Sequence, residues 1–185
     1  VNDLWFISDT HFNHAKIVQY SNRPFANVEA MNEGLVEVWN RRVKPGDHVY
    51  HLGDFAFVRN TEDITSLLKR LNGQIHLIRG NHDHRDVRNA KGFAEVLDYK
   101  ELKVGDQRVV LSHYPMLSWS GMHKGSWMLH GHCHGNLAKN VMARRLDVGV
   151  DPMGYKPVSF DEVAVVMREY GFAPVDHHGA DHVDE

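Results

Sequence analysis

The chain has 185 residues, of which 42% are hydrophobic and 24% charged; this fits one globular domain with a sizeable core and excludes a disordered or fibrous protein. A formal charge of −3 gives no general pull toward nucleic acid or an anionic membrane surface. The longest purely apolar run, Val163 to Met167, is far short of the roughly 20 residues that cross a bilayer. Val1-Asn2-Asp3 runs directly into Leu4-Trp5-Phe6-Ile7 with no pattern of a secretion signal. The lone Cys133 has no partner for an internal disulfide, so a reducing, cytoplasmic compartment is expected.

In chain order, Leu4 to Ser8 predicts a first buried strand. Val28, Met31, Leu35, Val38 and Trp39 recur at helical spacing behind an Asn27 cap, and Lys44-Pro45-Gly46-Asp47 ends that element. Val49 to Leu52 is a second strand. Ile64, Leu67, Leu68 and Leu71 form a second helix behind Thr61, with Gly73 as its stop, and Ile75 to Arg79 is a third strand. This alternation is an α/β layout. Leu102 to Val104 and Gln107 to Leu111 flank Gly105-Asp106 as a hairpin. Val109 to Ser112 and Trp127 to Leu129 are further buried strands. Ser159-Phe160-Asp161-Glu162 is a capping box opening a final helix that Gly171 closes.

The 15 histidines are the outstanding feature of the composition. His177, His178 and His182 fall in a polar tail with no core-forming pattern and read as a solvated terminus. His48, His51 and His76 lie within strand runs, where local packing and hydrogen bonding account for them. Five of the others fall in ligand-type stretches just past strand ends: Asp9-Thr10-His11, Gly53-Asp54, Gly80-Asn81-His82-Asp83, His113 and His130-Gly131-His132. Loops beyond the carboxyl ends of strands converge on one crevice in α/β folds, so these five stretches are expected to meet. As ligand candidates they bring two Asp, one Asn and four His, with His82 and Asp83 left over, too many donors for one ion but suited to two ions sharing a carboxylate. A single Asp-x-His or Gly-Asp is ordinarily a turn; the argument rests on five in series.

This series resembles that of the calcineurin-like metallophosphoesterases, D-x-H, G-D, G-N-H-[DE], an isolated His, and G-H-x-H, in order from Asp9 to His132. The ending Tyr155-Lys156-Pro157-Val158-Ser159-Phe160-Asp161-Glu162 also resembles small bacterial and phage-encoded members. The resemblance implies an α+β-like sandwich with mixed sheets flanked by helices, a single domain over 1–174 and a polar tail over 175–185. It places the protein in the cytoplasm of a bacterial cell or phage-infected host.

The last motif aligns in two ways. Leu129-His130-Gly131-His132 makes His132 and His130 the ligands. Gly131-His132-Cys133-His134 keeps the family's leading glycine and makes them His132 and His134, with His130 a strand-end neighbour. In the second register, which matches better, the resemblance implies that Asp9, His11, Asp54 and His134 hold one metal. Asp54, Asn81, His113 and His132 then hold the other, with Asp54 bridging. His82 would protonate or stabilise the leaving oxygen and Asp83 would orient its imidazole. The ions implied are divalent transition metals, manganese favoured, with iron, nickel, cobalt or zinc as alternatives and magnesium less suited to a histidine-rich site.

The implied reaction is phosphoester hydrolysis by in-line attack of a metal-bound hydroxide, acting as a phosphodiesterase on small nucleotides, 2′,3′-cyclic nucleotides included. A nuclease of the same family and a non-catalytic binding scaffold are the alternatives. The segment from Tyr114 to Trp127 joins two of the loaded strands. Within it, Trp119 is a candidate base-stacking platform, and His123 and Lys124 are candidates to meet a phosphate oxygen. Trp127, at the start of a strand, is expected in the core.

Overall fold

The computed structural model describes residues 3–58, 60–137 and 143–175; the histidines of the polar tail lie outside these. Two sheets form the frame. In the first, β1 (Leu4–Ile7), β2 (His48–His51), β3 (Gln74–Ile78) and β4 (Glu95–Leu97) run parallel. The helices α1 (Ala15–Tyr20), α2 (Val28–Arg42), α3 (Thr61–Leu68) and α4 (Arg85–Asn89) fall in the connections. The second sheet holds β5 (Tyr99–Val104), β6 (Gln107–Ser112), β7 (Trp127–His130) and β8 (Arg145–Asp147), in that order. There β5 is antiparallel to β6, and Val104 pairs with Gln107 across Gly105-Asp106. A short β9 (Val158–Ser159) returns antiparallel to β1 and leads into α5 (Phe160–Arg168).

The period-2 alternation of the strands sorts side chains into layers. Trp5, Ile7, Val49, Ile75 and Leu77 face the helices and pack against Met31, Leu35, Trp39, Ile64 and Leu68. Their strand neighbours Phe6, Tyr50 and Ile78 point the other way and meet Val109, Leu111 and Leu129 of the second sheet, an interlayer that Val163 and Met167 of α5 also enter. The sheets are tied at one end: just past β1, Ser8 accepts a backbone hydrogen bond from Val150 at 3.0 Å and donates one to Val148 at 3.1 Å. This stitch sets the carboxyl ends of β1 and β8 side by side.

Local chemistry explains most element boundaries. Asn27 Oδ1 accepts from the Ala30 amide at 2.8 Å, and Met31, Leu35 and Trp39 recur on the buried stripe of α2. At α3 the cap is Asn60, accepting from Asp63 N at 2.8 Å, with Thr61 already the first helical residue. At α5 the Ser159–Glu162 capping box is present in both directions. That helix ends at Arg168 rather than running on to Gly171. The strand histidines bond locally: His48 Nδ1 lies 3.0 Å from His76 Nε2, and His76 Nδ1 lies 3.0 Å from Glu95. Among the described residues no helix is long and apolar enough to cross a membrane.

Leu111 is fully buried between the sheets one residue before the loaded end of β6. Leu111→Ala is expected to cost about 2–5 kcal/mol in urea unfolding, because the void is walled by both sheets and has little freedom to collapse.

Candidate metal centre

All five loaded stretches lie at one end of the two sheets. The Asp9 amide donates to Gly53 O at 2.9 Å and the His11 amide to Asp54 O at 3.0 Å, so the turns after β1 and β2 are laced together. The backbone there is strained: Asp9, His11, Asp54, His132 and His134 have φ of 57°, 50°, 57°, 69° and 49°. Each non-glycine residue in this left-handed region costs of order 1–3 kcal/mol, and such residues gather where side chains must be aimed inward together. Two glycines are demanded by proximity. A Cβ on Gly131 would overlap Ser8 Oγ and Asp9 Oδ2, and one on Gly80 would overlap Asp54 Oδ1.

The side chains form two adjoining donor groups. One atom each of Asp9, His11 and His134 lie within 4.8 Å of one another, and the same holds for Asp9, Asp54 and His113. Asp54 Oδ2 stands 3.5 Å from His11 Nε2 and 3.6 Å from His113 Nε2. Farther toward solvent, Asn81 Oδ1 lies 3.0 Å from both His113 Nε2 and His132 Nδ1. The structure thus brings His132 and His134 into the cluster. His130, also buried, turns its Nδ1 to Gly131 O at 2.8 Å and faces a separate cavity beside Leu146 and Met153. The register through Gly131-His132-Cys133-His134 is the one with clustered donor atoms.

The electrostatics call for a cation. Asp9 is fully buried and its pKa is pushed up to about 7, first by loss of water and then by the charges of Asp54 and Asp147, against the opposing pull of His134. Burial, aided by the neighbouring His134 and Arg23, holds the His11 imidazole far below its usual range, so it is neutral. Its Nε2 is buried with no hydrogen-bond partner, 3.5 Å from Asp54 Oδ2 and beside Asp9. An orphaned imidazole nitrogen beside paired carboxylates fits a divalent metal ion, and the all-N/O donor set fits a transition metal.

Outer partners set the tautomers. His113 Nδ1 donates to Leu52 O at 2.7 Å, which leaves Nε2 as the lone-pair nitrogen facing Asp54 and Asn81. His134 Nδ1 donates to Asp151 Oδ2 at 2.6 Å, leaving Nε2 3.8 Å from Asp9 Oδ1. Burial opposes the charged form of His134, but the Asp151 bond and the charges of Asp9 and Asp151 outweigh it, and its pKa is raised. Asp151 is in turn gripped by Arg23 through two contacts of 2.9 Å, and the same guanidinium donates to the carbonyls of Asp9 at 2.7 Å and Thr10 at 2.9 Å. Sequence reasoning passes over Arg23 and Asp151. Asp151 follows a strand of only three residues, and nothing beside Arg23 signals that its side chain is buried.

Three sequence expectations need correction. Asp83 does not orient His82: its carboxylate accepts from the amides of Gly80, Asp54 and Phe55, each at 2.8 Å, and so clamps the turns after β2 and β3. His82 instead places its backbone amide on Asp54 Oδ1 at 2.8 Å, with its ring 5.5 Å from that of His11. Trp119 is only 6% exposed; it packs on Val110 and Met128 across the outer face of the second sheet, and its Nε1 donates to Ser126 Oγ at 3.0 Å. An indole whose face and N–H are both spent inside the fold offers no stacking platform. Lys124 lines a cavity with Asp106 and Arg108 at the amino ends of β6 and β7, the opposite end from the donor groups, and His123 shares its turn. Tyr114 does border the cluster, half exposed, 4.7 Å from the His132 ring and 5.1 Å from that of His113. His14 and Phe57, stacked at 4.6 Å, border it on the His11 side.

His134→Ala is expected to lower manganese bound per chain by about one equivalent, read by elemental analysis after dialysis, whereas His130→Ala leaves it unchanged. The reverse pattern would move the metal to the other register.

Comparison with known proteins places this geometry in a family. The model of the calcineurin-like phosphoesterase superfamily domain matches residues 3–149. The uncharacterized protein MJ1445 of Methanocaldococcus jannaschii is 37% identical over 172 residues, which span 90% of this chain and 92% of that one. The Gene 66 protein of Mycobacterium phage D29 is 30% identical over 198 residues, covering 91% of this chain and 98% of its own. Among solved structures, the protein of unknown function AQ665 from Aquifex aeolicus superposes with a TM-score of 0.75 at 27% identity, covering 90% of this chain and 100% of that one. The chain therefore belongs to the calcineurin-like phosphoesterase superfamily.

Proposed function

We propose that this protein is a two-metal phosphodiesterase acting on small nucleotide substrates, 2′,3′-cyclic nucleotides among them. The observation that carries the reading is the placement of Asp54 Oδ2 between His11 Nε2 and His113 Nε2, with His134 on one side, Asn81 and His132 on the other, and Asp9 within reach of both donor groups. In this reading Asp9, His11, Asp54 and His134 hold one ion, Asp54, Asn81, His113 and His132 hold the second, and manganese is the favoured metal. The metals, when bound, supply Lewis-acid activation of water and of the phosphoester.

The chain's own groups do the rest. Asp54 would serve both ions, one of its oxygens being held by the His82 amide. His82 is half-buried at the open side of the cluster and is assigned the leaving group: as water oxygen bonds to phosphorus and one water proton is released to solvent, the ester P–O bond breaks and the imidazole donates a proton to the departing oxygen, to be reprotonated from solvent. Tyr114 replaces Trp119 as the ring positioned to lie against a nucleobase, since it is exposed and touches the His132 edge.

Manganese-loaded protein is expected to hydrolyse bis-p-nitrophenyl phosphate and 2′,3′-cyclic AMP, and EDTA to abolish both activities; a protein that binds two metals and turns over neither is a scaffold. Asp54→Ala removes turnover and weakens both sites, because one carboxylate serves both ions. His82→Ala retains both metals and lowers kcat by roughly 10²–10⁴-fold for poor leaving groups, and by much less for nitrophenolate. An equal loss for both classes would assign His82 to positioning instead.

A further inference from the structure

Beside the donor cluster, on the far side of Asn81, the surface falls into a cavity of about 380 Å³ walled by Arg79, Arg85, Arg88 and Tyr114. Gly80 and Asn81 form part of its lining, so it opens on the same turn that carries Asn81 Oδ1 to His113 and His132. The same three arginines also wall an adjoining hollow of about 440 Å³ that leads away toward Val96. Arginine side chains thus run from the edge of the donor cluster outward over two connected depressions.

Two of these arginines lack the carboxylate partner that several others have. Arg41, Arg42, Arg70 and Arg108 each face a glutamate, and Arg79 is bound through two nitrogens to Asp98. Arg85 and Arg88 have no side-chain partner among the described residues, although they stand three apart on α4 and so project from one face of the helix. Asp83, the other carboxylate in the wall, is spent on three backbone amides. In a chain of net charge −3, this leaves a local surplus of guanidinium groups beside the cluster. Guanidinium is the side-chain group best matched to bidentate binding of phosphate.

Resting on the phosphodiesterase reading, we infer that the substrate carries a second phosphate next to the scissile one, and that Arg85 and Arg88 bind it. The scissile phosphate sits over the donor cluster, Tyr114 separates the two positions, and the second phosphate lies in the arginine cavity. The favoured substrate class is then a nucleotide bearing two phosphates, or a short oligonucleotide, while a cyclic mononucleotide occupies the scissile position alone and leaves the arginine cavity unused. The contribution is moderate and salt-sensitive, because both arginines are exposed and solvent screens them.

The test is calorimetric. Manganese-loaded full-length protein at low salt is titrated with thymidine 3′,5′-bisphosphate, thymidine 5′-monophosphate and thymidine 3′-monophosphate. The bisphosphate is expected to bind at least tenfold more tightly than either monophosphate, with the advantage shrinking as salt rises. Arg85→Gln/Arg88→Gln is expected to lose that advantage, and Arg85→Lys/Arg88→Lys, which keeps the charge but not the fork, to retain part of it. Equal affinity for all three ligands, or an advantage that survives the glutamine pair, overturns the inference. Turnover of bis-p-nitrophenyl phosphate by the unsubstituted protein reports separately on the phosphodiesterase reading. Turnover without a bisphosphate advantage removes only the second-phosphate site, and a bisphosphate advantage without turnover removes only the assigned activity.

Discussion

Asp9 and Asp54 are carboxylates held almost wholly out of water at one end of a two-sheet sandwich, close enough that the charge of Asp54 raises the cost of ionising Asp9. Such a pair is tolerable only if positive charge is delivered to it, and the buried imidazoles are uneven sources: burial keeps His11 neutral and pulls His113 down, whereas His134, held by Asp151, has its pKa raised and opposes the charge of Asp9. The protein adds directed dipoles. The amide of His132 faces both oxygens of Asp9, and the amide of His82 faces Asp54. Much of the local architecture follows from this constraint, including the run of left-handed non-glycine residues and the two glycines that admit neighbouring side chains.

Holding that arrangement needs ties between segments far apart in the chain. Asp83 joins the turns after β2 and β3 through three amides. Arg23 and Asp151, separated by 128 positions, join the turn after β1 to His134 and so couple the first sheet to the end of the second. Both are buried carboxylate networks with their acceptors satisfied, the condition under which buried polar groups add rigidity rather than only cost. The hydrogen bonds to His113 and His134 also select which ring nitrogen faces inward, a requirement for any imidazole that is to donate a lone pair.

The cluster is not equally enclosed on all sides. Asp9, His11, Asp54 and His113 are buried, while Asn81, His132 and Tyr114 face solvent. Access is therefore from the β3 and β7 side, where Tyr114 and the arginines of α4 also lie. The residues that position the donors belong to the strand ends, and the residues available to discriminate substrates belong to the loop after β6 and to a five-residue helix. In this fold a rigid donor cluster and an adaptable surround come from different elements, which lets loops vary without disturbing the charge arrangement.

From the sequence alone the five loaded strand ends, the hairpin, the capped helices and the donor set Asp9, His11, Asp54, Asn81 and His113 can be read, because strand alternation, cap chemistry and strand-end loops are local patterns with a physical cause. The shortest elements, β4, β8, β9, α1 and α4, escape such a reading because two to six residues carry too little periodicity. The choice between His130 and His134 turns on which way a left-handed loop aims its side chains, and that depends on Gly131 pressing against Ser8 and Asp9 from another strand. Trp119 looks like a loop aromatic until the outer face of the second sheet is seen to need covering. Arg23, Asp151 and the role of Asp83 belong wholly to the tertiary structure: each acts on a partner remote in the chain or on backbone amides, and spacing along a sequence holds no record of which amides a carboxylate will meet.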